Sequence, residues 1–221
     1  MVSKNKIVVT GGAGFVGTNL IRLLLLKTKF KIISIDDYSS GSKKNHIKNS
    51  RITYVRGNTK DIFKLIKKPN VIKSVFHFGE FARIYQSFLN MNDCVDSNLI
   101  GSKSVFSFCL KHKIKLIYSA TSATLGNKGN DKNLSPYAFT KAKNLEFLEN
   151  LRKWFDFKYE VIFFYNVYGP RQIKIGKMVC ILVFQKIQYA PNIPATKSNN
   201  CKIPNPISPL SIVPNPGSIR L

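Results

Sequence analysis

The chain has 221 residues, enough for one large domain or for one full domain and part of a second. Hydrophobic residues make up 44% and aromatics 12%, which excludes wholesale disorder. Lys and Arg number 35 against 11 Asp and Glu, a formal charge of +24 that by itself would suggest a polyanionic partner. Yet 28 of the 35 cations are Lys, scattered along the chain beside an excess of Asn and Ile. That combination is the imprint of an AT-rich coding sequence, and the scatter describes a solvated surface. No nucleic-acid or membrane partner is expected. Cys94, Cys109, Cys180 and Cys201 show no metal-ligand spacing and suit a reducing compartment. With no signal-peptide pattern at the start and no apolar run near the roughly 20 residues of a membrane span, a cytoplasmic protein is expected.

In chain order, 6–10 (Lys-Ile-Val-Val-Thr) reads as a short β-branched strand ending in glycines. Thr18 to Leu26 reads as a helix with a broad apolar face. Strands follow at 31–35, 52–55, 74–78, 114–118 and 160–164, with helices at 98–111 and 137–155. Strands apolar on both faces and separated by helices indicate an α/β fold, a doubly wound parallel sheet covered on both sides. The composition then breaks. Seven of the ten Pro lie from Pro191 onward, and no Asp or Glu follows Glu160. The expected division is a dinucleotide-binding domain over 1–187 and an irregular tail over 188–221.

Residues 10–17 (Thr-Gly-Gly-Ala-Gly-Phe-Val-Gly) leave the first strand and open the first helix. An early Gly makes the tight turn, Gly14 lets backbone approach a pyrophosphate, and Gly17 lets helix pack on strand. The helix N-terminus supplies free N–H groups to the anion. Asp36 ends the second strand 19 positions past Gly17, where a carboxylate accepts hydrogen bonds from a ribose diol and repels a 2′-phosphate. NAD is therefore expected over NADP. Asp37 is placed to share that role. Asn58 after the third strand, Phe78-Gly79-Glu80 after the fourth, and Asn98 opening the next helix complete a line along the strand ends.

Tyr137 and Lys141 stand four apart on a helix, hence on one face. A tyrosine phenol is a poor base at neutral pH, and an ammonium one turn away stabilises its phenolate. The same ammonium is placed to hydrogen-bond the nicotinamide ribose. Upstream, residues 118–122 (Tyr-Ser-Ala-Thr-Ser) close the fifth strand with hydroxyls suited to share a proton with a substrate oxygen.

In order and spacing these segments, with 36–41, 57–58, 77–80, Asn98-x-x-Gly101, 118–126 and 166–172, resemble the extended short-chain dehydrogenases/reductases over about residues 6–185. Within that family the likeness is to the NAD-dependent nucleotide-sugar epimerases and dehydratases. The resemblance implies a Rossmann-type fold, a homodimer and tightly held NAD. It implies that Tyr137 removes a proton from a sugar hydroxyl as hydride leaves the sugar, giving a keto-sugar that is reduced again from the other face. Thr121 falls at the family's catalytic Ser/Thr position, counted back from Gly126, with Ser122 as the fallback. The implied cofactor contacts are Gly11, Gly14, Phe15, Val16, Gly17, Asp36, Asp37, Asn58, Thr59, Phe78, Gly79, Glu80, Asn98, Lys141 and Phe164. The implied substrate contacts are Arg83, Ser122, Ala123, Tyr137, Asn166 and Arg171, toward a UDP-linked sugar. Related dehydratases carry a carboxylate just after the catalytic Thr/Ser, whereas this chain has Ser122 and Ala123, which favours a 4-epimerase. The other readings are a dehydratase or reductase of the same family, or an inactive NAD-binding remnant. Four departures stand out: Asn58 for the usual Asp, Glu80 for a small residue, Leu125 for Tyr, and Phe163 for Arg. Family members continue into a further substrate-binding stretch, so a truncated chain is expected.

Overall fold

The computed structural model describes residues 3–165, 167, 169 and 172, with the backbone alone at 127 and 185–187. These residues belong to one compact unit, Met1–Tyr189. The expected tail over 188–221, and the boundary that sets it off, lie outside the described residues.

The strands are β1 (Lys6–Thr10), β2 (Lys31–Asp36), β3 (Ile52–Arg56), β4 (Ile72–His77), β5 (Lys115–Thr121), β6 (Tyr159–Phe164) and β7 (Gln185–Ile187). They form one sheet in the order β3-β2-β1-β4-β5-β6-β7. The first six are parallel and β7 pairs antiparallel with β6. The expected doubly wound sheet is present, with β7 as an added edge strand. The strand order reverses between β1 and β4, which opens a crevice at the carboxyl ends of the strands.

The helices are α1 (Phe15–Lys27), α2 (Ile62–Leu65), α3 (Ile84–Leu89), α4 (Met91–Val95), α5 (Ser102–Lys111) and α6 (Pro136–Phe155). Alternation along β1 divides the core. Ile7 and Val9 pack with Ile32 against Ile21 and Leu24 of α1. Val8 faces the other way, into a larger cluster with Val75, Leu116, Phe106 and Phe108 of α5 and Leu148 of α6. Each of these large side chains contributes roughly 1.5–3 kcal/mol when withdrawn from water.

The segment before α5 differs from expectation. Asn98 does not open a helix. It lies inside a π-helical stretch, Asp96–Gly101, that joins α4 to α5. Such bulges occur where a side chain must be re-aimed, and Asn98 is fully buried here. The entry to α6 follows simple rules. Pro136 stands in the first turn, and Ser135 Oγ accepts from the Ala138 amide at 3.0 Å.

Candidate active site

The glycine loop is shaped by backbone crossings that exclude side chains. Gly11 has φ +68, and a Cβ there would lie 2.7 Å from the Phe78 carbonyl and 2.8 Å from the Gly79 amide nitrogen. A Cβ on Gly79 would in turn lie 2.8 Å from the Gly11 nitrogen. The chain leaving β1 thus crosses the chain leaving β4 at glycine-to-glycine distance. Thr10 Oγ1 holds this crossing by accepting from the amides of Phe78 at 3.1 Å and Gly79 at 3.0 Å. A Cβ on Gly17 would run into the Gly11 carbonyl, so α1 packs directly on the loop.

Gly14 is the N-cap of α1, with no side-chain cap and no acidic residue in the first turn. The amides of Phe15 and Val16, in the first turn of α1, therefore have no intrahelical acceptor and are candidate donors to an anion. Asp36 ends β2 beside the loop. Its Oδ2 accepts from the Ala13 amide at 2.9 Å and its Oδ1 from the Tyr38 amide at 2.8 Å. Burial raises the Asp36 pKa, opposed by those two amides. Each carboxylate oxygen keeps a second lone pair, so a diol still has acceptors. Asp37 is exposed, and its Oδ2 accepts from Asn58 Nδ2 at 3.1 Å. Asn58 also caps a short turn through the Lys60 amide at 3.0 Å, which puts buried Thr59 against Gly101. Phe78 and Phe164 meet edge to face at 5.5 Å between centroids, at the ends of β4 and β6. The loop, Asp36, Asn58, Phe78 and Phe164 thus share one edge of the sheet, and their donors and acceptors suit a dinucleotide.

The first half of α6 packs on the carboxyl end of β5 and on the turn after it. Thr121 ends β5, and its Oγ1 accepts from the Ala123 amide at 3.3 Å, which orients the turn carrying Ser122 and Ala123. Tyr137 is half-buried in the first turn of α6, and its amide donates to Ser87 Oγ of α3 at 3.2 Å. No side chain among the described residues hydrogen-bonds the Tyr137 hydroxyl. Lys141, one turn on, points inward. Its Nζ donates to the Ser119 carbonyl at 2.6 Å and to Glu80 Oε2 at 2.5 Å. Asn98 bridges the elements, with Oδ1 accepting from the Phe81 amide at 2.7 Å and Nδ2 donating to Thr140 Oγ1 at 3.1 Å.

Not every expected residue joins this group. Arg83 is exposed and makes no ion pair among the described residues. Asn166 and Arg171 lie outside the described residues. Glu80 sends its side chain into the core, only 2% exposed, to pair with Lys141. Sequence reasoning missed the groups that receive it. Tyr118 Oη, Ser119 Oγ, Ser102 Oγ and Asn144 Nδ2 all donate to this carboxylate. One signal was available, because Tyr137, Lys141 and Asn144 follow the i, i+4, i+7 spacing of one helix face. Burial alone would raise the Glu80 pKa, but the Lys141 ammonium holds the carboxyl below its ordinary value.

His77 ends β4 in the same network, 2.8 Å from Thr10 Oγ1 and 2.9 Å from Ser102 Oγ. Complete burial pushes its pKa down to about 4, against a smaller opposing pull from Glu80. Between the ordinary value near 6.5 and the folded value, the unfolded chain binds a proton that the folded chain refuses. Stability contributed by neutral His77 is therefore lost as pH falls through that window. Denaturant titrations at about pH 7.5 and about pH 5.5 are expected to differ by about 1 kcal/mol from this group. In His77→Gln that part of the slope disappears, and an unchanged slope would refute the assignment.

A family model described as the NAD dependent epimerase/dehydratase family matches residues 7–199. The chain is 28% identical over 186 residues to the uncharacterized UDP-glucose epimerase YtcB of Bacillus subtilis (strain 168), covering 76% of this chain and 58% of that protein. It superposes on the UDP-N-acetylglucosamine 4-epimerase of Methanobrevibacter ruminantium M1, solved in complex with UDP-N-acetylmuramic acid. The TM-score is 0.69 at 25% identity, over 81% of this chain and 61% of that one. It also superposes on the UDP-glucose 4-epimerase of Thermotoga maritima, solved with UDP-glucose, with a TM-score of 0.68 at 27% identity over 78% and 59% of the two chains. The chain spans about three-fifths of the length of these relatives. With the family model covering most of its length and the sheet order and glycine loop in agreement, the chain belongs to the NAD-dependent epimerase/dehydratase family.

Proposed function

We propose that this chain binds NAD along the carboxyl edge of its sheet and carries the catalytic half of a nucleotide-sugar 4-epimerase acting on a UDP-linked sugar. NAD supplies a reversible hydride acceptor. The Phe15 and Val16 amides hold the pyrophosphate, and Asp36 takes the adenosine ribose. Tyr137 removes the proton from the sugar 4-hydroxyl as hydride leaves the neighbouring carbon, and it returns the proton when hydride is delivered to the other face. Thr121 shares that proton through its hydroxyl. Lys141 supports the Tyr137 phenolate electrostatically from one turn away, its ammonium being held inward by Glu80 and the Ser119 carbonyl rather than turned to the nicotinamide ribose. Ser122 and Ala123 line the sugar side; the nucleotide contacts expected from the family pattern at Arg83, Asn166 and Arg171 are not part of the group the described residues form. The reading includes a homodimer packed through the Asn98–Lys111 segment and the Tyr137–Phe155 part of α6, where Ile100 and Phe139 stay exposed.

The observation that carries the reading is the placing of Tyr137 and Lys141 on one face of α6 over the Thr121 end of β5. The choice of epimerase over dehydratase rests on Ser122 and Ala123, since elimination of water needs an additional acid and base there. Glu80 is a nearby carboxylate, but its five side-chain donors commit it to the interior. The test is to incubate the chain with NAD and UDP-glucose or UDP-N-acetylglucosamine and to follow C4 configuration by proton NMR. Interconversion of C4 epimers supports the reading, whereas a 4-keto-6-deoxy product would assign the dehydratase reaction.

A further inference from the structure

Glu80 follows the Gly11–Gly79 crossing, and its side chain turns beneath the site rather than into the crevice. Oε1 accepts from Ser102 Oγ at 2.9 Å, Tyr118 Oη at 3.0 Å and Asn144 Nδ2 at 3.3 Å. Oε2 accepts from Lys141 Nζ at 2.5 Å and Ser119 Oγ at 3.1 Å. The Lys141 side chain is 4% exposed, and its ammonium also lies 5.0 Å over the Tyr118 ring. The ammonium donates to Glu80 Oε2, the Ser119 carbonyl and Ser119 Oγ, and both charges are out of water. A buried ion pair seldom stabilises a fold more than an apolar pair of the same volume, so stability alone does not account for it. Its two members have different relations to the site. Lys141 is one helical turn from Tyr137, and Glu80 touches only Lys141 and neutral groups among the described side chains. His77, in contact with the same Ser102, is held neutral by burial.

We propose that Glu80 is a positioning residue that fixes the Lys141 ammonium against the Ser119 carbonyl and cancels its charge, so that the site favours the oxidised cofactor. The proposal rests on the NAD reading above. The oxidised nicotinamide ring carries a positive charge and the reduced ring does not. An unopposed buried ammonium near it disfavours the oxidised form, and a fixed carboxylate behind that ammonium removes the penalty.

The test is the ratio of dissociation constants for NAD+ and NADH, measured by calorimetry and by NADH fluorescence. In Glu80→Gln the affinity for NAD+ is expected to fall relative to NADH by about tenfold, the order that one uncancelled charge contributes in a low-dielectric site. In the double variant Glu80→Gln/Lys141→Met, which has neither charge, the ratio returns to that of the unaltered chain. An unchanged ratio in the single variant overturns the proposal and leaves the NAD reading standing. Failure of the unaltered chain to bind either form overturns both. Where the single variant does not fold, the double variant decides: an unchanged ratio supports charge cancellation, and a tenfold shift toward NADH overturns it.

Discussion

Replacing Tyr137 with Phe is expected to abolish sugar turnover while leaving NAD bound. The hydroxyl is engaged by no described side chain, so its removal breaks no side-chain hydrogen bond among the described residues, and the ring keeps its half-buried place in the first turn of α6. The loss falls on the proton transfer itself. General acid–base groups contribute roughly 10²–10⁴-fold, and a residue that both removes and returns the proton belongs at the upper end of that range. Steady-state rates with a UDP-sugar, beside calorimetric titration of NAD, separate the two effects. A variant that keeps more than about a tenth of the rate would remove Tyr137 from the chemistry. One that loses NAD as well would make it a structural residue.

The second large effect belongs to Gly17. A methyl at this position meets the Gly11 carbonyl and lies 2.8 Å from the Gly12 Cα, both of them backbone. Neither neighbour can rotate aside as a flexible side chain would. Gly17→Ala must therefore push α1 away from the loop, at a cost of roughly 1–3 kcal/mol for the overpacking. The displacement also moves the Phe15 and Val16 amides, the proposed pyrophosphate donors. NAD affinity is expected to fall on the order of 100-fold, because orientation of these amides decides how well they serve a pyrophosphate. Thermal unfolding and NAD titration on the same preparation check the two parts. A variant with unaltered affinity would show that the loop does not hold the cofactor.

The sheet and the glycine loop were legible in the sequence because their signals are local. The loop needs only a strand before it, a helix after it and an acidic residue at the right distance, all within residues 6–36. Tyr137 and Lys141 were legible because helix periodicity fixes their shared face. The region around 84–101 was not. Two short helices and a π-helical stretch fill it, each too brief to show a period. The interior network was also hidden, for a different reason. Thr10 meets His77 across 67 positions and Glu80 meets Lys141 across 61, so only the pairing of β1 with β4 and the docking of α6 bring them together. In the sequence Glu80 read as a cofactor contact and as a departure from a small residue, not as a buried counter-ion. Its role as a counter-ion depends on Tyr118, Ser102 and Asn144, of which Asn144 alone carries a local signal, its place on the Tyr137–Lys141 face of α6.

NAD is proposed to lie along the edge formed by the glycine loop and Asp36. Calorimetric titration of the purified chain with NAD and then with NADP tests it most directly. The expected result is saturable binding of NAD at one site per chain. NADP is expected to bind more weakly on the order of 100-fold, because the Asp36 carboxylate repels a 2′-phosphate in a partly buried site. Absence of NAD binding, or equal affinity for the two dinucleotides, would contradict the account.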